Sequence, residues 1–223
     1  MNVNLSKKRS HALTLIEVLV ILAVVGVLAV GLFTWTSNAK AHSIRINCIF
    51  HLKSIGLAAN VWAGDNKGLF PMSISQTNGG TREFATGTNA FRHFQAVSNE
   101  VSTPAVLPCA TDLLTGERRH ATNFSDMNNL NLSYFVGLDA TQTNPRTILA
   151  GDRNLTNGTP LKDGILELNS SRPSGWTSEM HNKVGNVLMS DSSAQMVSIS
   201  GVRDLAANTG LATNRLQMPI LGP

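Results

Sequence analysis

A continuous apolar segment occupies residues 13–33 and carries one charged side chain, Glu17. As a helix, a segment of this length reaches across the roughly 30 Å hydrocarbon core of a bilayer. A basic run at 7–9 comes directly before it. Because positive charge is typical of the cytoplasmic flank, the pattern predicts one membrane span, with the rest of the chain on the opposite side.

Residues 34–63 contain no proline and continue the helical periodicity. One apolar face comprises Ile44, Cys48, Leu52, Ile55, Ala59 and Trp62. A second apolar set lies about 200° around the helix and comprises Ile46, Phe50, Leu57 and Val61. The first face predicts packing on the protein's own sheet. The second predicts either contact with another chain or a helix enclosed in a larger core. Turn residues at 64–68, followed by Pro71, end the helix.

The rest of the chain shows a change from irregular to strand-like sequence. Residues 72–131 are rich in Asn, Thr, Ser and Gly, and they predict loops with a short helix near 89–99 and with Phe84, Phe91 and Phe94 buried. Predicted strands are Leu132–Leu138, Arg146–Gly151, Gly164–Leu168, Gly185–Ser190 and Ala194–Ser200. The last two are joined by a tight turn at 191–193, and 201–208 is a candidate short helix. The predicted fold class is α+β, a long N-terminal helix packed on a small, mostly antiparallel sheet.

Charge and cysteine content change this picture little. The formal net charge is +4, but the basic run at 7–9 supplies three of the cations, and residues 13–223 hold 15 Lys and Arg against 14 Asp and Glu. A near-neutral domain predicts no nucleic-acid partner. Cys48 and Cys109 are too far apart in sequence for a CxxC redox or zinc site. They form at most one disulfide, and the sequence leaves open whether they are bonded.

Glu17 distinguishes between three explanations of the N-terminus. A cleaved secretory signal is supported by the basic run and by Ala39-Lys40-Ala41, which resembles a signal cleavage site. However, the apolar segment is longer than a usual signal, and a disposable segment has no use for a carboxylate. An ordinary signal anchor gives Glu17 no role either. The third explanation, a processed leader, gives this carboxylate a partner.

Residues 12–17, Ala-Leu-Thr-Leu-Ile-Glu, resemble the prepilin processing motif, with Ala in place of the commoner Gly before the cut and Leu in place of Phe after it. The stretch 48–71 separately resembles a segment of bacterial pseudopilin-like proteins, through its Cys, its Ile-Gly-Leu-Ala turn of helix and its Gly-x-Phe-Pro exit. Residues 185–200 loosely resemble the terminal hairpin of the same group. The chain is therefore similar to type IV pilins and, more closely, to the pseudopilins of type II secretion.

The resemblance implies cleavage between Ala12 and Leu13 by a prepilin peptidase, usually followed by methylation of the new amino group. It also implies that Glu17 pairs with the N-terminal amine of a neighbouring subunit, which fixes the axial register of a filament. Its implied partners are identical or related pilin subunits, an assembly platform and ATPase, and membrane lipid before assembly. The expected organisation is a leader at 1–12, a membrane or filament-core segment at 13–33, an amphipathic part of the same helix at 34–64, and a periplasmic or extracellular domain at 65–223. An inner-membrane protein with a cytoplasmic N-terminus would then become part of an extracytoplasmic filament.

Other chemistry has weaker support in the sequence. Asp152, Asp163 and Asp191 offer oxygen atoms for calcium, but no calcium-loop spacing gathers them. Glu179 with His181 suggests a ligand pair without a recognised metal-binding spacing. No nucleophile, phosphate-binding or dinucleotide motif is present, so we expect no enzymatic activity, cofactor or metal. The alternative is a membrane-anchored periplasmic binding or enzymatic domain, with its pocket in 72–131.

Overall fold

The computed structural model describes residues 14–222, without the side chains of residues 32–38. Its helices are α1 (Leu15–Asp65), α2 (Ala90–Ala96), α3 (Ala110–Thr115) and α4 (Ile199–Asn208). Its strands are β1 (Tyr134–Gly137), β2 (Ile148–Asp152), β3 (Leu155–Thr156), β4 (Ile165–Leu168), β5 (Gly175–Trp176), β6 (Gly185–Met189), β7 (Ala194–Val197) and β8 (Asn214–Gln217). The chain divides into two compact units, one ending at His42 and the other beginning at Ser43.

Helix α1 begins and ends with recognisable capping chemistry. At its start, Thr14 and Glu17 bond to each other in the reciprocal pattern of a capping box. At its end, the amide of Gly68 donates to the carbonyl of Ala63 at 2.8 Å, and Gly68 adopts a left-handed conformation with φ 75°. Within the described residues, no helix is both long enough and apolar enough to cross a membrane. The segment predicted to do so, 13–33, begins and ends outside the part with described side chains.

Six strands form a fully antiparallel sheet in the order β4-β8-β1-β2-β6-β7, and β3 pairs with β5 in a separate two-stranded sheet. The α+β class with a long helix on a mostly antiparallel sheet is therefore confirmed. The turn at 191–193 joins β6 to β7 as predicted, with Ser192 at φ 67° and the Ser193 amide bonded to Asp191. The sequence did not predict α3, β3, β5 or β8.

The sheet is covered on both faces. On one face, the buried α1 positions Leu52, Ile55 and Ala59 share a core with Tyr134 and Val136. On the other, α4 packs over alternate residues of the same strands. A shift of register in β2 between Ile148 and Ala150 places the neighbours Leu149 and Ala150 together in the α1-facing core. Strands buried on both faces explain why β2 and β6 contain no exposed residue.

Two features bring α1 close to the β6–β7 turn. A Cβ atom at Gly56 would lie 2.8 Å from Leu188 Cδ1 and 3.1 Å from Ser192 Cα, so the helix approaches the turn closely only because residue 56 has no side chain. One turn later, the Asn60 side-chain amide donates to the Ser190 carbonyl at 2.9 Å and to the Ser192 hydroxyl at 2.8 Å. Gly56 belongs to the Ile-Gly-Leu-Ala stretch noted in the sequence, and Asn60 comes two residues after it.

Candidate functional site

A row of polar side chains crosses one end of the central strands, on the face covered by α1. Tyr134 of β1 pairs with Asp152 of β2, and the continued register places Asp152 opposite Asn186 of β6. Paired residues of an antiparallel sheet point to the same face, so the three side chains are neighbours. The Asn186 backbone and side-chain amides both donate to Asp152 Oδ2, at 2.8 and 3.0 Å. Asp152 and Asn186 are fully buried.

Two cysteines and a histidine lie against this row. Cys48 comes from α1, Cys109 precedes α3, and His181 lies in the loop between β5 and β6. Their sulfur and ring-nitrogen atoms are all within 4.8 Å of one another, and both cysteines are free thiols with no exposed surface. His181 Nε2 lies 3.5 Å from Cys109 Sγ and 3.4 Å from Asp152 Oδ2. We call Cys48, Cys109, His181 and Asp152 the thiol–imidazole cluster.

Burial and close contact shift the titration of this cluster. A hydrogen bond from Cys48 lowers the pKa of Cys109 to about 5, and His181 acts in the same direction. The same contact raises the pKa of Cys48. Desolvation raises the pKa of Asp152 to about 7, against the attraction of His181. Burial lowers the pKa of His181, but its contacts with Cys109 and Asp152 outweigh burial and raise it overall.

A buried ion pair supports the cluster from the side of α3. Arg153 donates to both carboxylate oxygens of Asp112, at 2.9 and 3.0 Å, and also to Glu179 at 2.9 Å. Ser133 donates to Asp112 at 2.6 Å and accepts the backbone amide of Cys109 at 2.8 Å. Asp112 therefore fixes the start of α3, where Cys109 lies. Glu179 pairs with Arg153, so the ligand pair with His181, which the sequence reasoning did not favour, is not formed.

The predicted filament-forming residues lie in the first part of the chain. Ala12 and Leu13 are outside the described residues. Glu17 Oε2 accepts the backbone amide of Thr14 at 2.8 Å and its hydroxyl at 2.9 Å. Since both residues come after the predicted cut, this cap does not depend on the leader. The apolar side chains of the first turns are exposed, including Leu15 at 80% and Ile16 at 69%.

The two apolar faces predicted for α1 beyond residue 43 are confirmed in the structure. The first is buried from Cys48 to Trp62, with Ile44 partly buried at its beginning. The second is exposed: Ile46 is 39%, Phe50 59%, Leu57 62% and Val61 60% exposed. We call these four residues the outer stripe. The enclosing core that was the alternative prediction does not cover them in this chain.

The three aspartates considered for calcium are not brought together. Asp152 is in the thiol–imidazole cluster, whereas Asp191 caps the β6–β7 turn and Asp163 lies at φ 51° in the turn before β4. Among the described residues, the only grouping of three or more Cys, His, Asp or Glu ligand atoms is that of Cys48, Cys109 and His181. In the sequence, nothing connects these three residues. Their assembly depends on sheet register and on loop positions, which sequence spacing does not show.

Comparison with known proteins adds one finding. Residues 7–33 match the family model of the prokaryotic N-terminal methylation motif, which is the prepilin-type motif of type IV pilins and pseudopilins. The resemblance noted at the N-terminus is thus confirmed over that segment. The motif implies processing by a prepilin peptidase, anchoring in the inner membrane and assembly with other pilin subunits. No curated protein and no solved structure matches the chain.

Proposed function

We propose that this chain is a structural, non-enzymatic subunit of a type II secretion or type IV pilus-like filament. Its leader would be removed after Ala12, and the mature chain would be extracted from the inner membrane into an extracytoplasmic filament by an assembly platform and ATPase. The observation that carries the proposal is the combination of the methylation motif at 7–33 with the outer stripe further along the same helix. Neither feature is needed by an isolated periplasmic domain.

The outer stripe supports assembly because its own domain leaves it in water. Each of its four residues would be stabilised by transfer into an apolar contact, at about 25 cal/mol per Å². Single exposed apolar residues are ordinary, but four on one helix face are a feature of the kind found at protein interfaces. The opposite face of the same turns of α1 is buried in the hydrophobic core of the domain. A filament of parallel helices would cover the outer stripe with neighbouring subunits.

Glu17 supports the proposal through its charge. A carboxylate beside an apolar segment is costly unless a cation pairs with it. The capping box gives Glu17 one role within the chain, which a neutral glutamine would also fill. Pairing with the N-terminal amine of a neighbouring subunit needs the negative charge. Glu17→Gln keeps the cap and removes the charge, whereas Glu17→Ala removes both.

The first experiment is intact-mass analysis of the mature chain from cells that make it with its own assembly machinery. A chain beginning at Leu13, with a methylated amino group, supports the proposal. A chain beginning at Met1 indicates an ordinary anchor and favours the alternative of a tethered binding or enzymatic domain. A chain beginning at His42 indicates a secretory signal. Either of the last two results would rule out a processed subunit.

The second experiment compares the Glu17 variants in the same cells. We expect both Glu17→Gln and Glu17→Ala to be inserted and cut normally but to be lost from the sheared filament fraction. Removing one member of a buried ion pair costs about 3–5 kcal/mol, because the other charge is left unpaired. If Glu17→Gln assembles as well as the native chain while Glu17→Ala does not, the cap is what matters and the intersubunit pairing is refuted.

A further inference from the structure

The thiol–imidazole cluster has the composition of a metal site. It contains two thiols, one imidazole and one carboxylate, supplied by α1, the start of α3, the β5–β6 loop and the end of β2. Thiolate and imidazole are the ligands that zinc prefers in proteins. We propose that Cys48, Cys109 and His181 bind one zinc-class divalent cation, with Asp152 as the nearest fourth ligand.

The distances between these groups agree with a tetrahedral ion. With bonds of about 2.3 Å to sulfur, about 2.0 Å to nitrogen and about 2.1 Å to oxygen, the edges of the tetrahedron are about 3.5 Å between sulfur and nitrogen and about 3.4 Å between nitrogen and oxygen. Cys109 Sγ and His181 Nε2 are 3.5 Å apart, and His181 Nε2 and Asp152 Oδ2 are 3.4 Å apart. These two contacts of His181 therefore have the lengths expected for edges of such a tetrahedron.

A second observation points to a missing partner. Asp152 Oδ1 is buried and has no hydrogen-bond partner, although Oδ2 accepts two amides from Asn186. A buried carboxylate oxygen without a donor is costly, and a bound cation would compensate it. Asp152 is not within the 4.8 Å group of the other three ligands, so its carboxylate would have to move closer to complete the tetrahedron. The three-residue group is the essential part of the site.

A disulfide between Cys48 and Cys109 is the competing state, because it and the metal require the same sulfur atoms. It needs the two sulfurs about 2.05 Å apart, whereas both are free thiols in the structure. A disulfide also gives no role to His181, whose Nε2 lies between a sulfur and a carboxylate. The metal uses all four side chains. It would connect α1 to the sheet at the beginning of the folded domain.

The test measures metal in the full-length chain, purified in detergent and dialysed after incubation with equimolar zinc. We expect about one zinc per chain. Replacing zinc with Co²⁺ should give visible bands of a tetrahedral ion and a thiolate-to-cobalt charge-transfer band. The zinc content should fall to background in each of the three essential-ligand variants, Cys48→Ser, Cys109→Ser and His181→Gln. The variant Asp152→Asn should weaken zinc binding by about 10-fold to 100-fold.

The matched control is His93→Gln, which changes another buried histidine whose partners are Thr81 and Gln217. It should retain the full zinc content. Because a ligand variant could simply unfold, the melting temperature of each chain is measured with and without zinc. Zinc should raise it in the native chain and in His93→Gln but not in His181→Gln. Two results would overturn the proposal. One is an intact mass lower by two hydrogen atoms with both thiols unreactive, which indicates a disulfide. The other is an equal zinc content in the native chain and in His181→Gln.

Discussion

Replacing Phe50 separates assembly from folding, because its side chain lies in the outer stripe. Phe50 is 59% exposed, which leaves about 120 Å² in water for a residue of about 200 Å². At about 25 cal/mol per Å², covering that area in a filament contributes up to about 3 kcal/mol per subunit, or roughly a 100-fold change in an association constant. Phe50→Gln removes this contribution while keeping good helix propensity.

Two assays on the same variant decide the outcome. The melting temperature of the detergent-solubilised chain should match that of the native protein, since exposed substitutions usually change stability by less than about 0.5 kcal/mol. The amount recovered in the sheared filament fraction should fall steeply. Arg203→Gln, at an exposed position of α4 on the other face of the sheet, is the control and should leave both quantities unchanged. Undiminished filament yield, or a loss of more than about 2 kcal/mol in folding stability, would refute the role of the outer stripe.

Three further predictions concern the stability of the folded domain. Burial lowers the pKa of His93 to about 4. The contribution of neutral His93 to the free energy of unfolding should therefore be complete above the unfolded pKa of about 6.5, and stability should fall by up to about 3 kcal/mol as the pH decreases to 4. Denaturant titration at each pH measures this dependence, which should be absent from His93→Gln. Gly56→Ala should destabilise by about 1–3 kcal/mol in thermal melts because its new methyl group meets the β6–β7 turn. Gly64→Ala, with no atom within 4 Å, should instead stabilise by up to about 1 kcal/mol. Arg153→Met should cost about 3–5 kcal/mol in chemical unfolding by leaving Asp112 buried without its cation, and adding Asp112→Asn should recover part of that loss.

The features that could be predicted from sequence are those in which the spacing of apolar residues within one segment decides which of its side chains are buried. The two faces of α1 follow from residue spacing alone, and the bounds of β1, β2, β4 and β6 lie within one or two residues of the predicted ones. Strand β7 begins where predicted but ends three residues early, because α4 begins at Ile199. Strand β8 could not be found in this way. Its sequence, Asn-Arg-Leu-Gln, has no apolar alternation, yet it lies between β4 and β1, and Asn214 and Gln217 are buried. Its strand conformation comes from pairing with distant segments.

The thiol–imidazole cluster was beyond prediction for a similar reason. Residues 48, 109, 152 and 181 have no metal-site spacing. They meet because the sheet register places Asp152 under α1, and because the start of α3 and the β5–β6 loop bring Cys109 and His181 to the same point. A signal was present in the two widely spaced cysteines, but it did not reveal which other residues would join them. The N-terminal motif differs in this respect. Because residues 12–17 are contiguous in sequence, their role could be inferred without knowledge of the three-dimensional structure.

Both proposed functions depend on how α1 is held against its domain. Close approach at Gly56 and the bonds of Asn60 fix the helix at the β6–β7 turn, while Cys48 holds it at the thiol–imidazole cluster. Eight residues separate Cys48 from Gly56, which is about 12 Å along a helix. Two attachments this far apart determine both the rotation and the tilt of the segment. The direction of Phe50, on the opposite side of the same turns, is therefore set by them, so that a cation at Cys48 would orient the outer stripe without touching it.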